Sequence, residues 1–144
     1  YLGWGKSHGL GTGLGLTIGA KLAQPDKVCI NFMGDAAFGM VGLDFETAVR
    51  SNIPIITVVL NNSTMAVETT AMADSHRLYN TRDLGGDYAD MGRAMGGYAE
   101  RIEDPAHIIQ AFQRARRVTE DEGKAVLLEF ITSAETEKSH GRAF

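Results

Sequence analysis

Residues 28 to 62 read VCINFMGDAAFGMVGLDFETAVRSNIPIITVVLNN and contain two apolar runs that each stop abruptly at polar residues. The first run, 28 to 33, precedes Gly34-Asp35-Ala36-Ala37, and the second, 54 to 60, precedes Asn61-Asn62. Nearly continuous β-branched runs of this kind are typical of parallel strands that are buried on both faces. The two runs therefore predict neighbouring strands of an α/β domain.

The rest of the chain continues the alternation of helices and strands. A glycine-rich loop at 1 to 13 leads into a predicted helix that ends at about Ala23. Further helices are predicted over about 41 to 51, 87 to 95 and 104 to 123, with short helical pieces within 63 to 86. Two further strands are predicted over 98 to 102 and 125 to 132. This order predicts a parallel sheet flanked by helices on both faces, with right-handed crossovers.

Two predicted helices have apolar stripes. The first helix repeats leucine or isoleucine every four residues, and a glycine stripe runs beside it; the last helix has a capping pair, Asp104-Pro105, and closes at Gly123. The stripes are Leu10, Leu14, Ile18 and Leu22; Gly11, Gly15 and Gly19; and Ile108, Ile109, Phe112 and Ala115. Because glycine destabilises a helix interior, the glycine stripe predicts close backbone packing, either within the domain or at a subunit interface.

Composition sets limits on the class of protein. The chain has 144 residues, 14 Lys plus Arg against 18 Asp plus Glu, a net charge of −4 and one Cys. This length fits one domain over residues 1 to 144, and the mild acidity argues against nucleic-acid binding. A single Cys excludes an internal disulfide framework and favours a cytoplasmic setting. No apolar run reaches the roughly 20 residues of a membrane span. The lack of an initial Met and the high glycine content suggest a fragment of a longer protein.

The polar residues that end the two apolar runs indicate where chemistry takes place. Ligands bind beyond the carboxyl ends of parallel strands, so adjacent strands would bring Asp35 close to an asparagine of the 61–62 pair. Carboxylate and amide oxygens suit Mg²⁺, and Gly34, Ala36 and Ala37 leave main-chain amides unshielded beside them. The residues predict a magnesium and diphosphate site, although such dipeptides are also ordinary turn and cap residues.

The same segment resembles the cofactor-binding motif of thiamine diphosphate enzymes, which begins with GDG or GDA and ends with NN. The likeness extends upstream to residues 9 to 27, GLGTGLGLTIGAKLAQPDK, and covers nearly the whole chain. The chain is similar to the carboxyl-terminal, diphosphate-binding domain of the acetolactate synthase-like branch. A thiamin diphosphate-binding fold is therefore expected.

The resemblance assigns roles to individual residues. It implies Mg²⁺ ligands at Asp35, Asn62 and the main-chain carbonyl of Thr64. For thiamine diphosphate it implies contacts from the amides of Ala36 and Ala37 beside Gly34 and from the backbone at Met65 and Ala66. It also implies that Leu10 supports the bent form of the cofactor and that His8 makes a main-chain contact.

The resemblance also implies the reaction and the partners of the whole protein. The family decarboxylates a 2-oxo acid and transfers or protonates the product. Its activating glutamate comes from a separate pyrimidine-binding domain, so no catalytic residue is assigned in this chain. Because that domain commonly belongs to another subunit, a homodimer or homotetramer is expected. Whether the full-length enzyme carries FAD stays open. Residues 65 to 67 are Met-Ala-Val where the synthase branch often has Gln-Gly-Met. Two alternatives therefore remain: another 2-oxo acid decarboxylase, or an isolated, non-catalytic cofactor-binding or oligomerisation module.

Overall fold

A computed structural model describes residues 1 to 3, 9 to 66 and 72 to 134. The elements in chain order are α1 (Thr12–Ala23), β1 (Ile30–Gly34), α2 (Asp35–Val41), α3 (Asp44–Arg50), β2 (Ile56–Asn61), α4 (Ala73–Tyr79), α5 (Tyr88–Ala94), β3 (Tyr98–Ile102), a 3₁₀ turn (Pro105–His107), α6 (Ile108–Asp121) and β4 (Val126–Ile131). None of the helices in these ranges is long and apolar enough to cross a membrane.

The four strands form one parallel sheet in the order β1-β2-β4-β3. Strands β1 and β2 are neighbours, and their pairing runs from Ile30 opposite Ile56 to Gly34 opposite Leu60. The predicted parallel sheet is confirmed, and so is the adjacency of the two strands that precede the polar residues.

Helices cover both faces of the sheet, as predicted. On one face, Val59 and Leu127 belong to a core that also contains Leu14 of α1, Phe38 of α2 and Ala89 of α5. On the other face a second core is formed against α6. It includes Val58, Leu128, Ala111 and Ala115. The alternation of side chains along each strand separates the two cores.

The helix predicted over 41 to 51 is confirmed as the shorter α3 (Asp44–Arg50), whereas the separate helix α2 (Asp35–Val41) before it was not predicted. Helix α2 begins directly after β1, and α3 follows a break at Gly42. The Gly42 amide donates to the Phe38 carbonyl at 2.6 Å, and a Cβ at Gly42 would lie 2.7 Å from the Phe38 ring. The chain therefore turns where only glycine fits beside a buried aromatic ring.

The stripes predicted for α1 are only partly correct. Leu14 is buried and Ile18 packs against the core, but Leu10 and Leu22 are exposed, and Thr17 takes a buried position instead. In the described part of the chain, a Cβ at Gly15 or Gly19 would meet nothing within 4 Å, whereas one at Gly11 would lie 2.7 Å from Val41. The prediction of close backbone packing within the domain is therefore wrong for Gly15 and Gly19, while a subunit contact at these glycines stays a prediction.

The predicted capping residues are found at both ends of this region, but Asp104 caps the 3₁₀ turn before α6 and not α6 itself, which begins at Ile108, and one stripe residue is not confirmed. Asp104 accepts a hydrogen bond from the Ala106 amide, and Gly123 has the left-handed φ of 64°. Ile109 is 70% exposed. It lies two residues before the buried Ala111, which places it about 200° around the helix from that face.

An ion pair between β3 and α6 gives a pH-dependent contribution to stability. Arg114 donates from Nε and Nη2 to the two oxygens of Glu100 at 2.8 and 2.6 Å. The hydrogen bond from Arg114 lowers the pKa of Glu100 from its usual value. A carboxyl group whose pKa is lower in the folded chain stabilises it above the unfolded pKa, and the contribution is lost as the pH falls.

We therefore expect Arg114→Met to lower Tm most at pH 7 and least near pH 3. Thermal unfolding across this range measures the difference in Tm between the original chain and the variant. Arg117→Met, at an exposed position of the same helix, is the matched control and should show no such trend. A difference for Arg114→Met that stays constant with pH would contradict the ion-pair explanation.

Candidate functional site

The carboxyl ends of β1 and β2 bring the predicted polar residues to one edge of the sheet. Gly34 of β1 is in register with Leu60 of β2. Asp35 directly follows the first of this pair, and Asn61 and Asn62 follow the second. Adjacent parallel strands therefore carry the carboxylate and the amides to the same edge, as the spacing predicts.

Asp35 is a buried carboxylate with one unused oxygen. The residue is only 3% exposed, and it is the first residue of α2. Its Oδ1 accepts a hydrogen bond from the Ala36 amide at 2.9 Å. Its Oδ2 is buried and receives no hydrogen bond from any residue that the structure describes. A buried polar atom without a partner is costly, so this oxygen is suited to binding a cation.

Two short side-chain turns shape the segment after β2. The Asn61 Oδ1 accepts from the Ser63 amide at 3.0 Å and from the Ser63 hydroxyl at 3.2 Å. The Asn62 Oδ1 accepts from the Thr64 amide at 3.0 Å. Ser63 has a φ of 55°, in the left-handed region that few non-glycine residues adopt. These bonds hold the chain in the bend that carries Asn62 and Thr64.

A distant segment fixes the same bend from its other side. The Arg82 carbonyl accepts from the Met65 amide at 2.8 Å and from the Thr64 hydroxyl at 3.2 Å, and Thr64 forms an antiparallel bridge with Asp83. The Leu84 amide donates to the Ser63 carbonyl at 3.0 Å. The proposed ligand segment is therefore held by hydrogen bonds that no sequence pattern had indicated.

Two of the main-chain amides expected at the diphosphate have other acceptors in the structure. The Ala36 amide donates to Asp35, and the Met65 amide donates to the Arg82 carbonyl. Binding of the diphosphate by these two N–H groups would require them to exchange these acceptors, and it stays a prediction. Ala37 is buried in the first turn of α2, where the amides have no intrahelical acceptor.

The remaining predicted cofactor contacts are spread around this edge. Gly34 ends β1, and Ala66 lies half-buried just after Met65. Leu10 is 47% exposed and lies two residues before α1. The predicted contact at His8 lies outside the described residues.

A cleft of about 570 Å³ runs between α1 and the outer edge of β1. Leu10, Gly11 and Gly13 contribute one wall, and Asn31 contributes to the other. The lining extends to Gly34 and Ala37, and so reaches the edge that carries Asp35. The volume lies within the range of small-molecule sites, roughly 300 to 1,000 Å³.

Two buried carboxylates act on the hydroxyl of Tyr88 at this end of the domain. Tyr88 is buried and packs edge to face on Phe38, with ring centroids 5.6 Å apart. Burial, and then the negative charges of Asp35 and Glu129, raise the pKa of the Tyr88 hydroxyl above its usual value.

Glu129 is a residue of this region that sequence reasoning missed. It is fully buried in β4, and its carboxylate accepts hydrogen bonds from Asn61, from the Ala89 amide and from Arg101. The sequence did contain one signal, a single acidic residue within the apolar run VLLEFI. Since an acidic residue is almost never fully buried unless it is paired, an acid in such a strand indicates a buried partner.

Side-chain ligands alone do not make a metal centre here. No group of three or more His, Cys, Asp or Glu side chains that could hold a metal ion occurs in the described ranges. A cation at this edge would therefore need amide and main-chain oxygens, or oxygens of a ligand, in addition to Asp35. Such a mixed oxygen set is typical of Mg²⁺ sites.

Comparisons with known proteins agree with this architecture. Residues 1 to 130 match the family model described as thiamine pyrophosphate enzyme, C-terminal TPP binding domain. The chain is 34% identical over 108 residues to a probable acetolactate synthase of Mycobacterium bovis, covering 74% of this chain and 20% of that protein. It is 32% identical over 130 residues to a sulfoacetaldehyde acetyltransferase of Alcaligenes xylosoxydans xylosoxydans, covering 87% of this chain and 21% of that protein.

A solved structure has the same fold. A thiamine diphosphate-dependent 4-hydroxybenzoylformate decarboxylase of Rhodococcus jostii superposes with a TM-score of 0.71 at 24% identity, over 89% of this chain and 24% of that one. The chain spans about a fifth of the length of the relatives named above.

Proposed function

This chain belongs to the thiamine pyrophosphate enzymes, whose C-terminal TPP-binding domain it matches, and on that premise we propose that it binds Mg²⁺ and thiamine diphosphate where β1 and β2 end. The Asp35 carboxylate, the Asn62 side-chain oxygen and the Thr64 main-chain carbonyl are the proposed Mg²⁺ ligands. The diphosphate would complete the coordination, as substrate phosphates usually do for Mg²⁺.

One observation carries this proposal. The Oδ2 atom of Asp35 is buried and lacks a hydrogen-bond donor throughout the described ranges, while Oδ1 is held by Ala36. A buried carboxylate oxygen that lacks a hydrogen-bond donor is stabilised when a cation binds it. The nearby amide and main-chain oxygens supply the further hard ligands that Mg²⁺ requires.

The proposed roles of the other residues follow from their positions. The Ala36 amide orients the Asp35 carboxylate, and the Ala37 amide beside Gly34 faces the diphosphate together with the backbone at Ala66. Leu10 borders the cleft and supports the bent form of the cofactor. When bound, thiamine diphosphate supplies a nucleophilic carbon and an electron sink for decarboxylation, and the residues of this chain bind and orient it.

We further propose that the full-length protein is an acetolactate synthase-like lyase or transferase acting on a 2-oxo acid. The names of the two relatives, a synthase and an acetyltransferase, support a transfer reaction. In this proposal the chain is a fragment whose activating glutamate belongs to a pyrimidine-binding domain outside residues 1 to 144, so that it turns over nothing alone. A cytoplasmic homodimer or homotetramer is part of the same proposal; FAD stays open.

Binding of thiamine diphosphate is expected to depend strictly on Mg²⁺, because the ion links Asp35 to the diphosphate. With both present at about 100 times Kd, ligand linkage stabilises the folded chain by about 2.7 kcal/mol, which raises Tm by several degrees. Differential scanning calorimetry measures this rise. Thiamine with Mg²⁺, which lacks the diphosphate, is the control and should give no rise. An equal rise in excess EDTA, or no rise with both ligands, would overturn the proposal.

A further inference from the structure

Glu129 is a charged residue in the middle of a buried strand. It is fully buried in β4, between Val59 of β2 and Arg101 of β3 in the sheet register. Burying a carboxylate is strongly unfavourable unless it is paired and hydrogen-bonded. A position that an apolar residue could fill is thus occupied by one that requires dedicated partners.

The partners of Glu129 come from three different elements. The Asn61 side-chain amide at the end of β2 donates to Oε1 at 2.6 Å, and the Ala89 main-chain amide in the first turn of α5 donates to Oε2 at 2.9 Å. The Arg101 guanidinium of β3 donates to Oε1 at 3.3 Å and supplies the opposite charge. Both carboxylate oxygens are therefore occupied, and the group is fixed in one orientation.

This arrangement determines which way the Asn61 side chain faces. An ionised carboxylate only accepts hydrogen bonds, so the Nδ2 of Asn61 must face Glu129. Its Oδ1 then faces away, and accepts from the amide and the hydroxyl of Ser63. A reversed amide would lose the bond to Glu129 and both bonds to Ser63, which is the residue with a φ of 55°.

We propose that Glu129 is a positioning residue for the metal site. It fixes the Asn61 amide, Asn61 holds Ser63 in its bend, and the bend presents the oxygens of Asn62 and Thr64 on either side of Ser63. The inference rests on the proposed function, since it assumes that these oxygens bind Mg²⁺. Glu129 itself touches neither the ion nor the cofactor.

The test measures Mn²⁺ affinity, with Mn²⁺ as the probe for Mg²⁺, by isothermal titration calorimetry of the chain in a fixed excess of thiamine diphosphate, after subtraction of the heat of Mn²⁺ binding to thiamine diphosphate alone. Glu129→Gln retains the size of the side chain but cannot accept from both Asn61 and Ala89 through two carboxylate oxygens. We expect a metal Kd that is about 10- to 100-fold higher, as for other residues that orient metal ligands. Thr57→Val, another fully buried polar residue on the same face of the sheet, is the matched control and should leave Kd unchanged.

A double-mutant cycle separates positioning from a general loss of stability. If Glu129 acts through Asn61, Asn61→Ala raises the metal Kd by a similar factor, and adding Glu129→Gln to it raises Kd no further. If Glu129→Gln fails to fold, Asn61→Ala alone decides, and an unchanged Kd in that variant overturns the inference. An unchanged Kd in folded Glu129→Gln, or additive effects in the double variant, overturns it as well while leaving the proposed function intact. Absence of metal binding by the original chain would instead refute the proposed function, and the inference with it.

Discussion

Replacing Asp35 with asparagine is expected to abolish the Mg²⁺-dependent stabilisation by thiamine diphosphate while leaving the unliganded chain folded. The amide oxygen of the new side chain can still accept from the Ala36 amide, as Oδ1 does now. The atom in place of Oδ2, which is buried and unpartnered among the described residues, becomes an N–H donor that repels a cation. The variant thus loses both the charge and the second oxygen on which the metal depends.

Scanning calorimetry with and without both ligands measures the effect. The original chain should show a rise in Tm of several degrees, and Asp35→Asn should show none. Asp44→Asn, at an exposed position in the first turn of α3, removes the same charge away from the site and should retain the full rise. A ligand-induced rise in Asp35→Asn equal to that of the original chain would show that Asp35 does not bind the metal.

The largest effect on stability is expected for Phe38→Ala. Phe38 is fully buried in α2, packs against Tyr88 and lies in the core beneath the helix that Asp35 begins. Truncating a buried phenylalanine costs about 3 to 5 kcal/mol, a large part of the roughly 5 to 15 kcal/mol that stabilises a typical domain. We expect a correspondingly large fall in the free energy of unfolding, measured by urea denaturation.

Leu43→Ala is the matched control for this substitution. Leu43 lies directly before α3, close to Phe38 in the chain, but it is 76% exposed. Its truncation should change the free energy of unfolding by no more than about 0.5 kcal/mol. Comparable losses for the two variants would mean that Phe38 is not part of a well-packed core.

The positions of Asp35 and of the Asn61-Asn62 pair could be predicted from sequence because the signals for them are local. An apolar run that stops at Asp35, and another that stops at Asn61-Asn62, define two strands and their polar ends without any knowledge of the rest of the chain. Only the rule that the carboxyl ends of parallel strands meet at one edge was needed to bring them together. The register of Gly34 with Leu60 confirms this step.

The supporting residues could not be predicted because their partners are distant in sequence. Glu129 meets Asn61 across 68 positions of the chain, and the pairing of Thr64 with Asp83 follows no periodic pattern. The stripes of α1 fail for a different reason. A four-residue repeat shows that a helix has an apolar side, but the sequence does not say how much of that side the sheet covers, so Leu10 and Leu22 remain exposed.

The most direct measurement is a crystal structure of the chain with thiamine diphosphate and Mn²⁺, in which anomalous scattering locates the ion. We expect one ion beyond β1 and β2, at about 2.0 to 2.3 Å from a side-chain oxygen of Asp35 and from that of Asn62, and in contact with the diphosphate. An ion bound elsewhere, with the Asp35 carboxylate making no contact to it, would contradict a metal site where β1 and β2 end.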